Sequence, residues 1–141
     1  MKKVIVIGSG FAGLSAAAYL SKEGFDVTVV EKNKQIGGRA RNFKAQGYTF
    51  DMGPSWYWMP EIFDNFFHSF NHTTKDFYEL KKLDPGFKIV FDNADMILPA
   101  NWNEICDLFD SYEDNGAKKL NKFMEDAEKK YSIGLRFLYN S

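Results

Sequence analysis

The sequence has one cysteine, Cys106, in 141 residues, so neither an intrachain disulfide nor a metal site built from several thiolates can form. A lone thiol of this kind fits a reducing compartment, where it fills space in a core. An excess of charge is missing too: 18 Lys and Arg against 19 Asp and Glu leave a net charge of -1. Binding of nucleic acid would call for a basic face, and is not expected. No apolar stretch approaches the roughly 18 residues that a spanning helix requires, so any membrane contact is expected to be peripheral. Met1-Lys2-Lys3 followed by Val4 to Ile7 has the order of a signal peptide, but Gly8 ends the run too early. The two histidines, His68 and His72, stand four apart without cysteine or carboxylate support, so no metal is expected. Without a secretory signal, the Asn71-His72-Thr73 sequon has no use.

What the sequence does have is aromatic bulk, 17% of all residues, and a well-placed set of glycines. Val4-Ile5-Val6-Ile7 is a continuous β-branched run of the kind found in strands covered on both faces. From Gly10 the period changes. Gly13, Ala16, Ala17 and Leu20 form a narrow small-residue stripe on a helix, and Gly24 suits its C-terminal cap. Val27 to Val30 reads as a second buried strand, giving a β-α-β unit over residues 3 to 31.

Gly8-Ser9-Gly10-Phe11-Ala12-Gly13 matches G-x-G-x-x-G at the junction of that strand and helix. The first glycine permits the tight turn, the second admits a pyrophosphate to the backbone, and the third lets helix and strand pack closely. The helix N-terminus then faces the phosphates without any lysine in the loop. Glu31 ends the second strand, where a carboxylate can accept from adenosine ribose hydroxyls and would repel a 2′-phosphate. Lys32 follows it. An NAD-binding domain normally continues into another crossover helix. Here a glycine-rich loop follows instead, Ile36-Gly37-Gly38-Arg39-Ala40, and this selects FAD. Arg39 is placed either to neutralise pyrophosphate charge or to pair with Glu31.

Downstream, Tyr48 to Asp51 reads as a short strand stopped by Met52-Gly53-Pro54, and Pro60 to Phe70 as a helix with Ile62, Phe63, Phe66, Phe67 and Phe70 on one face. Phe77 to Leu83, Phe87 to Phe91 and Asp95 to Leu98 predict a three-stranded antiparallel meander with turns at Asp84-Pro85-Gly86 and Asp92-Asn93. Asn101 with Glu104 predicts a capped helix carrying Trp102, Ile105, Phe109 and Tyr112, ended by Asp114-Asn115-Gly116. A last helical stripe runs from Ala117 through Leu120, Met124, Ala127, Tyr131 and Leu135 to Leu138. It meets no stop signal, which predicts that the protein continues beyond Ser141. The expected fold class is α/β, a Rossmann-type start at residues 1–76, followed by the beginning of an α+β domain at 77–141.

The glycine fingerprint, Glu31 and Gly37-Gly38-Arg39-Ala40 resemble glutathione-reductase-like flavoproteins, in the branch of amine oxidases and carotenoid desaturases. Gly47-Tyr48-Thr49-Phe50-Asp51-Met52-Gly53-Pro54-Ser55, with Trp56 to Phe63 and Leu83-Asp84-Pro85, narrows the resemblance to bacterial-type phytoene desaturases. It covers nearly the whole chain and an N-terminal portion of the family's length. The resemblance implies an FAD-dependent oxidoreductase of carotenoid biosynthesis, a lipophilic polyene substrate reached from the membrane, and hydride loss to the flavin. It also implies a cytoplasmic protein peripheral to the inner face of the cell membrane. Cofactor contacts are expected at Gly8, Gly10, Phe11, Ala12, Gly13, Glu31, Lys32, Gly38 and Arg39, and at Gly53 and Pro54 beside the flavin; no catalytic residue stands out. Trp56, Tyr57, Trp58 and Met59 either line the substrate route or fill a seam. A flavin amine oxidase and a non-catalytic FAD-binding fragment are the alternative readings.

Overall fold

Both β-branched runs form strands, paired in parallel, in the computed structural model, which describes residues 1–54 and 56–139. β1 (Lys3–Ile7) runs beside β2 (Asp26–Val30), with Lys3 opposite Asp26 and Ile7 opposite Val30. Between them lies α1 (Phe11–Lys22), whose Ala17 is buried. Small side chains bring this helix close to the sheet, as the stripe requires. Its end is a Schellman motif: Gly24, at φ 84°, donates to the Ser21 carbonyl, and the Phe25 N–H reaches the Leu20 carbonyl.

The sheet departs from the expectation of a strand covered on both faces. Val4 and Val6 are half-buried, whereas Ile5 and Ile7 on the opposite face are 68% and 88% exposed. A β-branched run reports that both faces are apolar; it does not supply the second layer.

Two compact units, Met1–Glu79 and Leu80–Ser141, divide the chain. In the first, β3 (Asn42–Ala45) and β4 (Tyr48–Asp51) form an antiparallel hairpin whose two turn residues, Gln46 and Gly47, both have positive φ. Phe43 stacks on Phe50 across it at 5.0 Å. α2 (Pro60–His68) begins on its proline and ends two residues before Phe70. Its phenylalanines join an aromatic cluster in which Phe67 stacks on Phe77 at 4.5 Å and Phe66 meets Tyr19 edge-on at 5.8 Å.

That cluster explains why the expected strand at Phe77 to Leu83 does not form. Thr73 and Asp76 make a reciprocal capping box around a 3-10 turn, Thr74–Asp76. Phe77 and Tyr78 are then committed to α2, and the next residues stay irregular. The meander is therefore a two-stranded hairpin in the second unit, β5 (Phe87–Val90) and β6 (Asp95–Leu98). Beyond its ladder, Lys82 donates to the Ala100 carbonyl and the Asp84 carboxylate accepts from the Ala100 N–H, so side chains rather than a third strand hold residues 82–84 to the segment after β6.

α3 (Trp102–Tyr112) and α4 (Gly116–Tyr139) complete the second unit as a helical hairpin. The Asn101 side chain caps α3 by accepting from the Asn103 and Glu104 N–H groups, while Asp110 accepts from Ala117 at the start of α4. Asn101→Ala is expected to cost about 1 kcal/mol, read from the urea unfolding midpoint; an unchanged midpoint would mean that the cap is idle. Ser55 and the Leu138 side chain, part of the sequence expectations, lie outside the described residues.

Candidate functional site

The turn from β1 into α1 has the geometry that the three glycines predict. Gly8 has φ 100°, a region L side chains avoid, and its N–H donates to the Val30 carbonyl at 2.7 Å, tying the turn to the end of β2. A Cβ on Gly13 would lie 2.0 Å from the Gly8 carbonyl oxygen, so only glycine fits where helix and turn meet. The first bond back from α1 runs from Leu14 to the Gly10 carbonyl at 2.9 Å. The N–H groups of Phe11, Ala12 and Gly13 thus precede the helical ladder. No side chain caps this end and its first turn carries no acidic residue, which leaves the positive end of the helix dipole open to an anion.

Glu31 stands beside that turn with all its acceptor capacity engaged. Its Oε2 accepts from the Ser9 N–H at 2.9 Å and the Ser9 hydroxyl at 2.8 Å. Oε1 accepts from the Asn33 N–H at 2.9 Å and the Asn33 side-chain amide at 2.7 Å. These donors, with the Asn33 backbone bond first and the Ser9 backbone bond second, hold the carboxyl down at about 2. The group is an anion at neutral pH. Arg39 is not among its partners, which settles the question of a Glu31–Arg39 pair in favour of Ser9 and Asn33. Neither of these was singled out by sequence reasoning. A hydroxyl at the variable position of the glycine fingerprint and an amide two residues after the acid were the available signals.

The second glycine loop packs onto the first. Gly37, at φ 106°, donates to the Ser9 carbonyl at 2.9 Å and leads into a 3-10 turn at Gly38–Ala40. A Cβ on Gly38 would come within 3.0 Å of the Gly10 Cα. Gly53 closes the stack: its Cβ would lie 2.0 Å from the Arg39 carbonyl oxygen, and the Met52 N–H donates to the Arg41 carbonyl at 3.0 Å. The close backbone approach at Gly53 is therefore made to the Arg39 peptide. Gly53→Ala is expected to destabilise the first unit by about 2 kcal/mol, because backbone, unlike a side-chain tip, cannot step aside. Thermal unfolding checks this; an unchanged transition would place Gly53 away from Arg39.

Three backbone segments, at 8–13, 31–33 and 37–40, thus meet around Ser9, with Gly53 behind the third. Lys32, Arg39 and Pro54 are exposed, as are Phe11 and Ala12, and Phe11 lies edge-on to Phe63 at 5.8 Å. Tyr57 stacks on Phe63 at 4.9 Å and shares a hydroxyl hydrogen bond with Tyr78; burial and that contact raise its pKa. Trp58 is exposed. His72 pairs with Asp76 at 3.4 Å rather than with His68. No helix among the described residues is long and apolar enough to cross a membrane.

Comparison with known proteins gives this site a context. Residues 6–73 match the NAD(P)-binding Rossmann-like domain. Carotenoid 3,4-desaturase of Haloarcula japonica is 40% identical over 96% of the chain, which spans 28% of that protein. The 4,4'-diapophytoene desaturase (4,4'-diaponeurosporene-forming) of Staphylococcus aureus is 36% identical over 96% of the chain and 27% of its own length. An oxidoreductase of known structure from Methanosarcina mazei is 42% identical over 39% of the chain and 13% of its own, with a TM-score of 0.35. The chain spans little more than a quarter of the length of the curated relatives it matches. Its Rossmann-like match thus covers residues 6–73, and over 96% of its own length the chain is similar to these two desaturases.

Proposed function

We propose that this chain binds the ADP half of FAD for an oxidoreductase that desaturates phytoene or a related polyene. The observation that carries the reading is the junction of two glycine loops beside an anionic Glu31, next to an uncapped helix N-terminus. The donor set suits the group. N–H groups of Phe11, Ala12 and Gly13 meet phosphate charge, Glu31 meets a ribose, and Gly10 and Gly38 present no side chains to a pyrophosphate. Arg39 and Lys32 add positive charge from exposed positions. Glu31 also selects against a 2′-phosphate by repulsion. When bound, a flavin supplies a two-electron acceptor for hydride leaving a substrate carbon.

In this reading the N-terminal part of the cofactor domain, expected at residues 1–76, extends through Glu79, where the first compact unit ends, and Leu80 onward begins the substrate domain. Asp51 to Pro54 would lie near the flavin, and the lipophilic substrate would arrive through peripheral contact with a membrane at its cytoplasmic face. The relatives' greater length implies that catalysis needs more than these residues. The test is the gene in a phytoene-accumulating host, with the purified product checked for bound flavin. Longer conjugated carotenoids and a yellow protein are expected from the complete protein, and hydrogen peroxide release with amines in place of new carotenoids would overturn the polyene assignment.

A further inference from the structure

The nucleotide reading leaves one conflict, and its resolution rests on that reading. A carboxylate offers about four lone-pair sites, and Glu31 has a donor on each: two from Ser9 and two from Asn33. A ribose hydroxyl approaching Glu31 must therefore displace a donor already in place.

The two halves of the carboxylate are not equally replaceable. Ser9 is 1% exposed, and its carbonyl is additionally held by the Gly37 N–H. Displacing Ser9 from the carboxylate would strand a buried hydroxyl and N–H, a costly exchange. Asn33 is exposed and lies in an irregular segment, so its amide can return to water at little cost. The geometry points to Asn33 as a competitor for the ribose: its side-chain amide occupies Glu31 Oε1 until a ribose hydroxyl replaces it, while Ser9 stays as the permanent anchor on Oε2. Asn33 thereby sets affinity for nucleotides with free ribose hydroxyls, because closed sites lower the apparent affinity in proportion to their population.

The experiment compares ADP with 2′,3′-dideoxy-ADP, titrated into the wild-type chain and the Asn33→Ala, Ser9→Ala and Ser9→Thr variants, with amide chemical shifts as the readout. Asn33→Ala is expected to bind ADP about fivefold tighter, the scale of one competing hydrogen bond, and dideoxy-ADP as the wild type does. The ratio of the two affinities therefore rises about fivefold, a change that a merely structural Asn33 would not produce. Ser9→Ala is expected to weaken ADP about tenfold, with recovery in Ser9→Thr, which keeps the hydroxyl. A ratio unmoved or lowered by Asn33→Ala, in a wild type that binds ADP, overturns the competition alone. A wild type that binds neither ligand overturns the nucleotide reading and this inference with it.

Discussion

Gly13→Ala is expected to abolish ADP binding and to destabilise the first unit by about 3 kcal/mol, at the upper end of what an added methyl does to a packed interior. The new Cβ would meet the Gly8 carbonyl oxygen at 2.0 Å, and that carbonyl belongs to a turn fixed by the Gly8 bond to Val30. Relief requires α1 to lift from β1 or the turn to open, and either movement displaces the N–H groups of Phe11, Ala12 and Gly13, which the proposal assigns to phosphate. A control separates this clash from backbone strain. Gly24 also bends the chain, at φ 84°, but a Cβ there meets nothing within 4 Å. Gly24→Ala should cost about 1 kcal/mol through its dihedral alone and leave ADP binding intact. Urea unfolding with an ADP titration reads both variants; equal losses would show that tight packing at Gly13 is not the reason for the glycine.

Glu31→Ala is expected to weaken ADP and FAD roughly tenfold to a hundredfold, the range for losing charged hydrogen bonds to a ligand. It also removes the acceptor for both Ser9 donors, leaving a buried hydroxyl without its partner. Stability should respond to pH through the same group. Glu31 titrates at about 2 in the folded chain against 4.5 without these contacts. Its contribution is therefore present in full above pH 4.5 and is lost as pH falls towards 2. Glu31→Gln should flatten that limb of the stability curve. A variant whose acid limb matches the wild type would show that other carboxylates carry it.

Much of the site was legible because glycine requirements are local. A turn with positive φ at Gly8 and a close approach at Gly13 leave a trace in residue type, and the spacing to Glu31 follows from one helix and one strand. Ser9 and Asn33 were harder to see, since many polar residues tolerate those positions and their roles appear only when the end of β2 comes beside the first turn. The same distinction holds for the fold. β1, α1, β2 and the α3 cap are written in periodicity and capping residues. β4 stands where the strand at Tyr48 to Asp51 is expected, whereas its partner β3 leaves little trace because Gln46-Gly47 is a weak turn signal beside the usual Asn-Gly. Phe77 to Leu83 has strand composition, yet tertiary contacts of Phe77 and Tyr78 with α2 outweighed that preference. Nor does residue type alone reveal that Gly53 makes a close backbone approach to the Arg39 carbonyl.

The central claim is that the two glycine loops and Glu31 form one nucleotide cradle. Amide shift mapping of ADP binding tests it most directly. Perturbations concentrated at Gly8 to Gly13, at Glu31 to Asn33 and at Gly37 to Arg39 are the predicted result. Contradiction would come from a saturating titration that leaves those amides unmoved, or that moves only residues of the Leu80–Ser141 unit.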